Sequence, residues 1–326
     1  MPITRSNYKG HDIITVTNDK GLEMVFTNFG AAVYSIKYKN HYLTYHPESM
    51  DEFLKSKKYF GKTLGRVAGR IEKGLINIGG KDYQLETNEK GNTLHGGINN
   101  LSFVPWDVEV NENPDCYIVV FKRTSPDKAC GFPGEVRFIT VYNVFKNINK
   151  FAVHYHAVPK IDTPINLSTH IYWRLGDKDI LNHKLYIYAL NKTTRNDELI
   201  NTGFERITRS FDFRIPKKVG ADIQEVAKAE PSANGYDHGF IFETTDRAQA
   251  TLEFDKLHLS LKTDMDMVNI YTNCFTGKEK IKEYGDDIIY GGIAIEPQMY
   301  FKSYKDIIYS PNKPFDHFFS FELEEY

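Results

Sequence analysis

Cysteine is scarce in this chain. Cys116, Cys130 and Cys274 are the only three among 326 residues, and they lie far apart. An odd, scattered set excludes a disulfide framework and a zinc-binding cysteine pattern, and points to free thiols in a reducing compartment. No apolar run approaches the roughly 20 residues a helix needs to span a bilayer. The opening MPITRSNYKG has no apolar stretch of the signal-peptide kind. A cytoplasmic protein without a membrane partner is therefore expected, and the sequons at Asn166 and Asn191 are read as accidental.

Charge of one sign is missing too. The 41 Lys and Arg nearly balance the 43 Asp and Glu, for a net charge of -2. With no basic stripe, no nucleic-acid partner is expected. No Gly-x-Gly-x-x-Gly follows a strand. Gly61-Lys62-Thr63 looks like the end of a phosphate loop, but Ser56 stands where its first glycine is required. His154 and His156 share a strand face as zinc ligands do, yet no third ligand is near them in sequence, so they are read as structural. Neither a metal nor any other cofactor is expected.

Helix signals are few as well. Only residues 48–59, after Pro47, and 221–229, before Pro231, read as helical. What fills the chain is strand. The 21 Tyr and 22 Phe favour pleated structure, and alternating segments recur at 13–17, 24–28, 32–38, 117–122, 136–144, 151–158, 184–189, 257–262, 268–272, 292–296 and 317–323. Residues 75–85 read as a hairpin turning at Gly79-Gly80. Short connections make these strands antiparallel, and no linker or repeat divides them. The fold class is all-β, one large sandwich domain over 1–326.

The most informative segment is Pro164-Ile165-Asn166-Leu167-Ser168-Thr169-His170-Ile171-Tyr172-Trp173-Arg174-Leu175. As a strand, one face is apolar, while the other carries Asn166, Ser168, His170, Tyr172 and Arg174. Such a polar, partly aromatic face suits a sugar, with Asn166 and Tyr172 as contacts beside His170. Four further motifs carry chemistry, each with a plainer alternative. Gly65-Arg66-Val67-Ala68-Gly69-Arg70 sets arginines among glycines that let a ligand approach, or is a solvated turn. His95, before Gly96-Gly97, faces a cleft or bonds its own loop. Asp237, in Tyr236-Asp237-His238, accepts sugar hydroxyls or caps a turn. Glu296 ends the apolar run Ile293-Ala294-Ile295 on the face of Ala294, as a base of raised pKa or as a solvated strand end.

Taken in this order, the motifs resemble the aldose 1-epimerase (galactose mutarotase) family, and the likeness runs over essentially the whole chain. The resemblance implies a large antiparallel β-supersandwich with a sugar cleft on its concave face. It implies Glu296 as general base on the anomeric hydroxyl and His170 as general acid on the ring oxygen, with His95 in contact near that oxygen. It also implies that Arg70 and Asp237 hold substrate hydroxyls. The partner is then a small-molecule aldose of glucose or galactose type, and the protein a monomer or homodimer.

Gly69, Arg174 and Pro297 depart from the family's usual Asn, Asn and Thr, and the family's Pro-Gly near the C-terminus appears as Pro311-Asn312 or Pro314-Phe315. At Gly69 the missing side chain leaves a sugar hydroxyl without a partner. One alternative is an epimerase of hexose 6-phosphates, with Arg66 and Arg174 receiving the phosphate. Another is a catalytically silent carbohydrate-binding protein, against which the presence of both Glu296 and His170 speaks.

Overall fold

The computed structural model describes residues 2–243 and 248–326. Two large sheets dominate. A nine-stranded sheet runs in the order Asp107–Glu112, Cys116–Ser125, Val136–Phe145, Lys150–Pro159, Phe315–Glu325, Leu257–Thr263, Ala250–Phe254, Lys184–Ile187 and Lys217–Lys218. A six-stranded sheet runs Tyr172–Trp173, Ile293–Gln298, Met267–Tyr271, Asp237–Phe242, Ala189–Arg195 and Asn201–Arg206. An N-terminal five-stranded meander over residues 3–42 completes the sandwich. Every pairing within these three sheets is antiparallel.

Alternation decides what lies between the layers. In Val136–Phe145, Val136, Phe138, Thr140, Tyr142 and Val144 are buried and the residues between them are not. Tyr142 meets Phe26 of the meander with ring centroids 5.1 Å apart. From the six-stranded sheet, Phe240, Val268, Ile270, Ile293 and Ile295 join the same core. Trp173 closes it against Phe321 at 4.9 Å. Burying each such aliphatic or aromatic side chain contributes roughly 1.5–3 kcal/mol.

The hairpin forms as Leu75–Ile78 on Lys81–Gln84, and Gly79 and Gly80 take φ of 60° and 82°. Two consecutive positive φ angles are what a mirror-image two-residue turn requires. The first helix is shorter than its signal. It spans Met50–Lys55, with the Ser49 side chain accepting the Glu52 N–H, and Ser56 turns extended and donates its hydroxyl to Glu279 at 2.6 Å. Residues 57–59 instead continue as a wall of the cleft described below. The second is Ile223–Ala229, entered through a 3-10 turn at Val219–Ala221. Among the described residues no helix is long and apolar enough to cross a membrane.

The segment 164–175 is not one strand. Thr163–Pro164 pairs with Ile308–Tyr309, Ser168–Thr169 with Thr63–Leu64, and Tyr172–Trp173 with the strand holding Ile293 and Ala294. Residues 43–45 bond its backbone at Tyr172 and Arg174 as well, so it draws hydrogen bonds from four segments, and both of its faces are buried.

Burial also sets an acid limit. His46, His170 and His183 are 2%, 5% and 0% exposed, and burial, the largest cause in each, lowers all three to about 4 from the usual 6.5. The unfolded chain takes up these protons near pH 6.5 while the folded chain does not. Their stabilisation is therefore complete above pH 6.5, declines as pH falls toward 4 and is level below that. Urea unfolding midpoints measured across this window should fall steadily.

Candidate active site

A cleft of about 530 Å³ lies on the six-stranded sheet. Period two supplies its floor. Each strand turns residues of one parity into it: Glu296 and Gln298, Asn269 and Tyr271, Asp237 and Gly239, Thr193 and Arg195. Register sets Asn269 directly opposite Glu296. Tyr172 comes from the sheet's first strand, and segments outside the sheet bring Tyr59, Gly69, Arg70, His95 and His170.

At the deep end the Nε2 of His170 lies 3.5 Å from Oε1 of Glu296, with the two side chains 6% and 2% exposed. The other carboxylate oxygen and the other ring nitrogen have no partner among the described residues. Burial first, and the negative Asp237 second, push the Glu296 carboxyl well above its usual range. Burial likewise holds His170 down at about 4. Raising the carboxyl and lowering the imidazole brings their proton affinities toward each other, so one proton can pass between them. A carboxylic acid beside a neutral imidazole and a carboxylate beside an imidazolium hold the same number of protons, so the charged form is reached by moving that proton within the pair.

His95 has a defined tautomer. Its Nδ1 accepts the Gly69 backbone N–H at 3.2 Å, which leaves Nε2 to carry the ring proton of the neutral form. Burial, then His170 and Arg70, keep it neutral by lowering it well below the usual value. It is a donor of hydrogen bonds, stacked edge-on against Tyr59 at 4.7 Å.

Asp237 sits between two guanidinium groups, Arg195 Nη1 at 3.2 Å and Arg70 Nη1 at 3.9 Å, and also accepts from Asn269 Nδ2 at 3.3 Å. Burial alone would raise its pKa, but the two arginines hold it well below the usual range. Arg70 is oriented in turn by both oxygens of Glu89. Two carboxylates of the cleft are thereby driven apart, Glu296 toward basicity and Asp237 toward permanent charge.

The structure brings Glu296, His170, His95, Arg70, Asp237 and Tyr172 together. It does not bring Asn166. That carboxamide is buried behind the cleft, donating to the carbonyls of Met299 (3.0 Å) and Ala68 (3.4 Å) and accepting the Met299 N–H. It ties the backbone beside Gly69 to the end of the Glu296 strand and, fully buried outside the cleft lining, does not reach a sugar there. Arg66 and Arg174 are also elsewhere. Arg66 is spent on Ser125, Pro126 and Pro133, and Arg174 on the carbonyls of Lys178 and Gly291, against the rings of Tyr45 and Tyr284. Neither lines the cleft, so neither is placed to receive a substrate phosphate.

Sequence reasoning missed Arg195, Asn269, Gln298 and Tyr271. Among the described residues no group of three or more His, Cys, Asp and Glu is placed to hold a metal.

The space at Gly69 is not open. A Cβ there would stand 3.2 Å from the ring of Phe301, and φ is +96°. Phe301 occupies room that a larger residue at 69 would need. Gly69→Asn is therefore expected to cost about 1–3 kcal/mol of stability and to raise KM, because it disturbs both Phe301 and the N–H that fixes His95. Denaturant unfolding and steady-state kinetics on the purified variant check both parts.

A large antiparallel sandwich with a carboxylate–imidazole pair in a polar cleft is equipped for acid–base chemistry on a polyhydroxylated ligand. The family profile for Aldose 1-epimerase matches residues 12–321, and the chain belongs to that family, isomerases that interconvert the anomers of aldoses. A galactose mutarotase of Bos taurus is 30% identical over 277 residues, 82% of this chain and 77% of its own. A maltose epimerase of Levilactobacillus brevis is 24% identical over 99% of both chains. In fold, the crystal structure of galactose 1-epimerase from Lactobacillus acidophilus superposes with a TM-score of 0.90 at 23% identity, covering 99% of this chain and 98% of that one.

Proposed function

We propose that the cleft binds a free aldohexose of glucose or galactose type with its anomeric end at Glu296 and His170. Glu296 takes the proton of the C1 hydroxyl while His170 delivers one to the ring oxygen. The bond between C1 and the ring oxygen breaks as the C1 carbonyl forms. The aldehyde end rotates about the bond to C2, and reclosure with the proton transfers reversed delivers either anomer. Protons only change places, so the pair ends each cycle as it began. His95 donates from Nε2 close to the ring oxygen. Asp237, Arg70 and Tyr172 take the remaining hydroxyls, joined by Asn269 and Arg195.

The observation that carries this reading is the buried carboxyl–imidazole pair, His170 Nε2 to Glu296 Oε1 at 3.5 Å, with an unengaged atom on each member. A protein that only binds sugar has no need of it. The free thiols of Cys116, Cys130 and Cys274 fit a cytoplasmic setting, where the chain acts as one domain, as a monomer or homodimer. Polarimetry with glucose, galactose, xylose, arabinose and glucose 6-phosphate tests the proposal. Accelerated mutarotation of at least one unphosphorylated aldose is expected. Acceleration of glucose 6-phosphate alone would transfer the assignment to the phosphorylated class, and binding without acceleration would leave a lectin-like protein.

A further inference from the structure

The short segment between the first helix and Gly61 carries a charge that the proton chemistry above does not use. Lys58 borders the cleft with its side chain 19% exposed. Its Nζ meets three acceptors, all on one loop: the carbonyl of Phe275 at 2.7 Å, Oδ1 of Asn273 at 3.0 Å and a carboxylate oxygen of Asp287. Three acceptors match the three protons of an ammonium, so none is left for a sugar hydroxyl. Asp287 is matched as well. It also accepts the Tyr45 hydroxyl and the Gly277 N–H, each at 2.6 Å, and Asn273 Nδ2 at 3.0 Å. Its side chain is fully enclosed, and burial alone would raise its carboxyl, but Lys58 first, then Tyr45 and Gly277, hold it below the usual range. An enclosed ion pair is tolerable only when its remaining hydrogen bonds are satisfied, and here they are.

The loop held in this way, residues 273–287, forms a rim of the cleft, which Phe275 and Thr276 line beside Lys58 itself. Glu279 fastens the same loop a second time, through the Ser56 hydroxyl and through its carbonyl, which accepts the Asp287 N–H at 3.1 Å. The ammonium also acts on the general acid. His170 is faced by Glu296 and Asp237 from the sheet, by the rings of Tyr172 and Tyr271, by His95 and Tyr59 from outside the sheet, and by Lys58. Burial lowers its proton affinity most, Asp237 raises it, and Lys58 lowers it again. An acid that holds its proton less tightly gives it up more readily to a ring oxygen.

We propose that Lys58 is a positioning residue of this site, one that locks the rim 273–287 in place and keeps a fixed positive charge beside His170. The inference rests on the reading of the cleft as a mutarotase site.

Three variants test it by polarimetry. Asp287→Asn removes the anion that anchors Lys58, and KM should rise about tenfold, because a loosened rim must be ordered again by each sugar that binds. Lys58→Met should raise KM in the same way and also move the acid limb of kcat/KM upward from its wild-type place near pH 4. Lys58→Arg, which restores the charge, should bring the limb back. A lysine that only supported the fold would raise KM in the first two variants and leave the limb where it was. An unchanged KM in Asp287→Asn, or an unmoved limb in Lys58→Met, would overturn the proposal. Should Lys58→Met not fold, Lys58→Gln takes its place with the same limb expected. If no sugar is turned over, the mutarotase reading fails by itself. Titration of the His170 ring, followed by NMR without sugar and assigned by comparison with His170→Asn, then decides the matter. A midpoint several tenths of a pH unit higher in the uncharged Lys58 variant supports the fixed charge, and an equal midpoint overturns it.

Discussion

Glu296→Gln should lower the turnover of anomer interconversion by about 10²–10⁴-fold, the usual worth of a general base. Sugar affinity should change by no more than a few-fold. The carboxamide matches the carboxylate in size, so the 1%-exposed site is neither emptied nor overfilled. What disappears is the capacity to accept a proton at the position 3.5 Å from His170. Asp237, a second carboxylate on the floor of the cleft, is a poor substitute. Arg195 and Arg70 hold it ionised against the effect of burial, and a carboxylate stabilised in that way has little affinity for a proton. Loss of kcat with Kd preserved, by polarimetry and calorimetry, is the signature of an interaction made only in the transition state.

Removing the acid should cost as much. His170→Asn keeps a polar group between Tyr59 and Tyr172 but eliminates the proton carrier, and a fall in kcat of about 10²–10⁴-fold is expected. His95 cannot take over. Its Nδ1 is committed to Gly69, and burial, with His170 and Arg70 beside it, keeps it neutral. A pH profile separates this role from a structural one. In the wild type kcat/KM should fall on the acid side near pH 4, as a second proton enters the pair at His170. On the alkaline side it should fall only above the ordinary carboxylate range, when the last proton leaves. His170→Asn should lose the limb near pH 4 and retain a single titration belonging to Glu296. A variant that was merely misfolded would lose activity without changing the shape of the profile.

Much of this was legible in the residues. Alternation such as that of Val136–Phe145 reveals strands because one face must be buried, and the short motifs around Gly69, His95, His170, Asp237 and Glu296 meet in one cleft. Register was not legible. Asn269 and Arg195 sit in the cleft because their strands pair next to those of Glu296 and Asp237, and pairing across 27 or 42 residues of sequence leaves no local trace. Nor does an arginine announce which way it points. Arg66 and Arg174 look like ligands for an anion, yet both fold inward onto backbone carbonyls. The same holds for Asn166, whose position beside His170 in an alternating segment suggested a sugar contact. The segment changes pairing partner twice, so a simple two-faced strand is the wrong geometry for it.

The most direct test of the central claim is exchange between the α and β anomeric proton signals of an aldose at equilibrium, measured by saturation-transfer NMR with catalytic amounts of protein. Exchange at a rate proportional to the concentration of the wild-type chain, and reduced to the uncatalysed rate by Glu296→Gln at matched sugar occupancy, is the predicted result. Equal exchange with wild type and Glu296→Gln, or none above background with the wild type at saturating sugar, would contradict it.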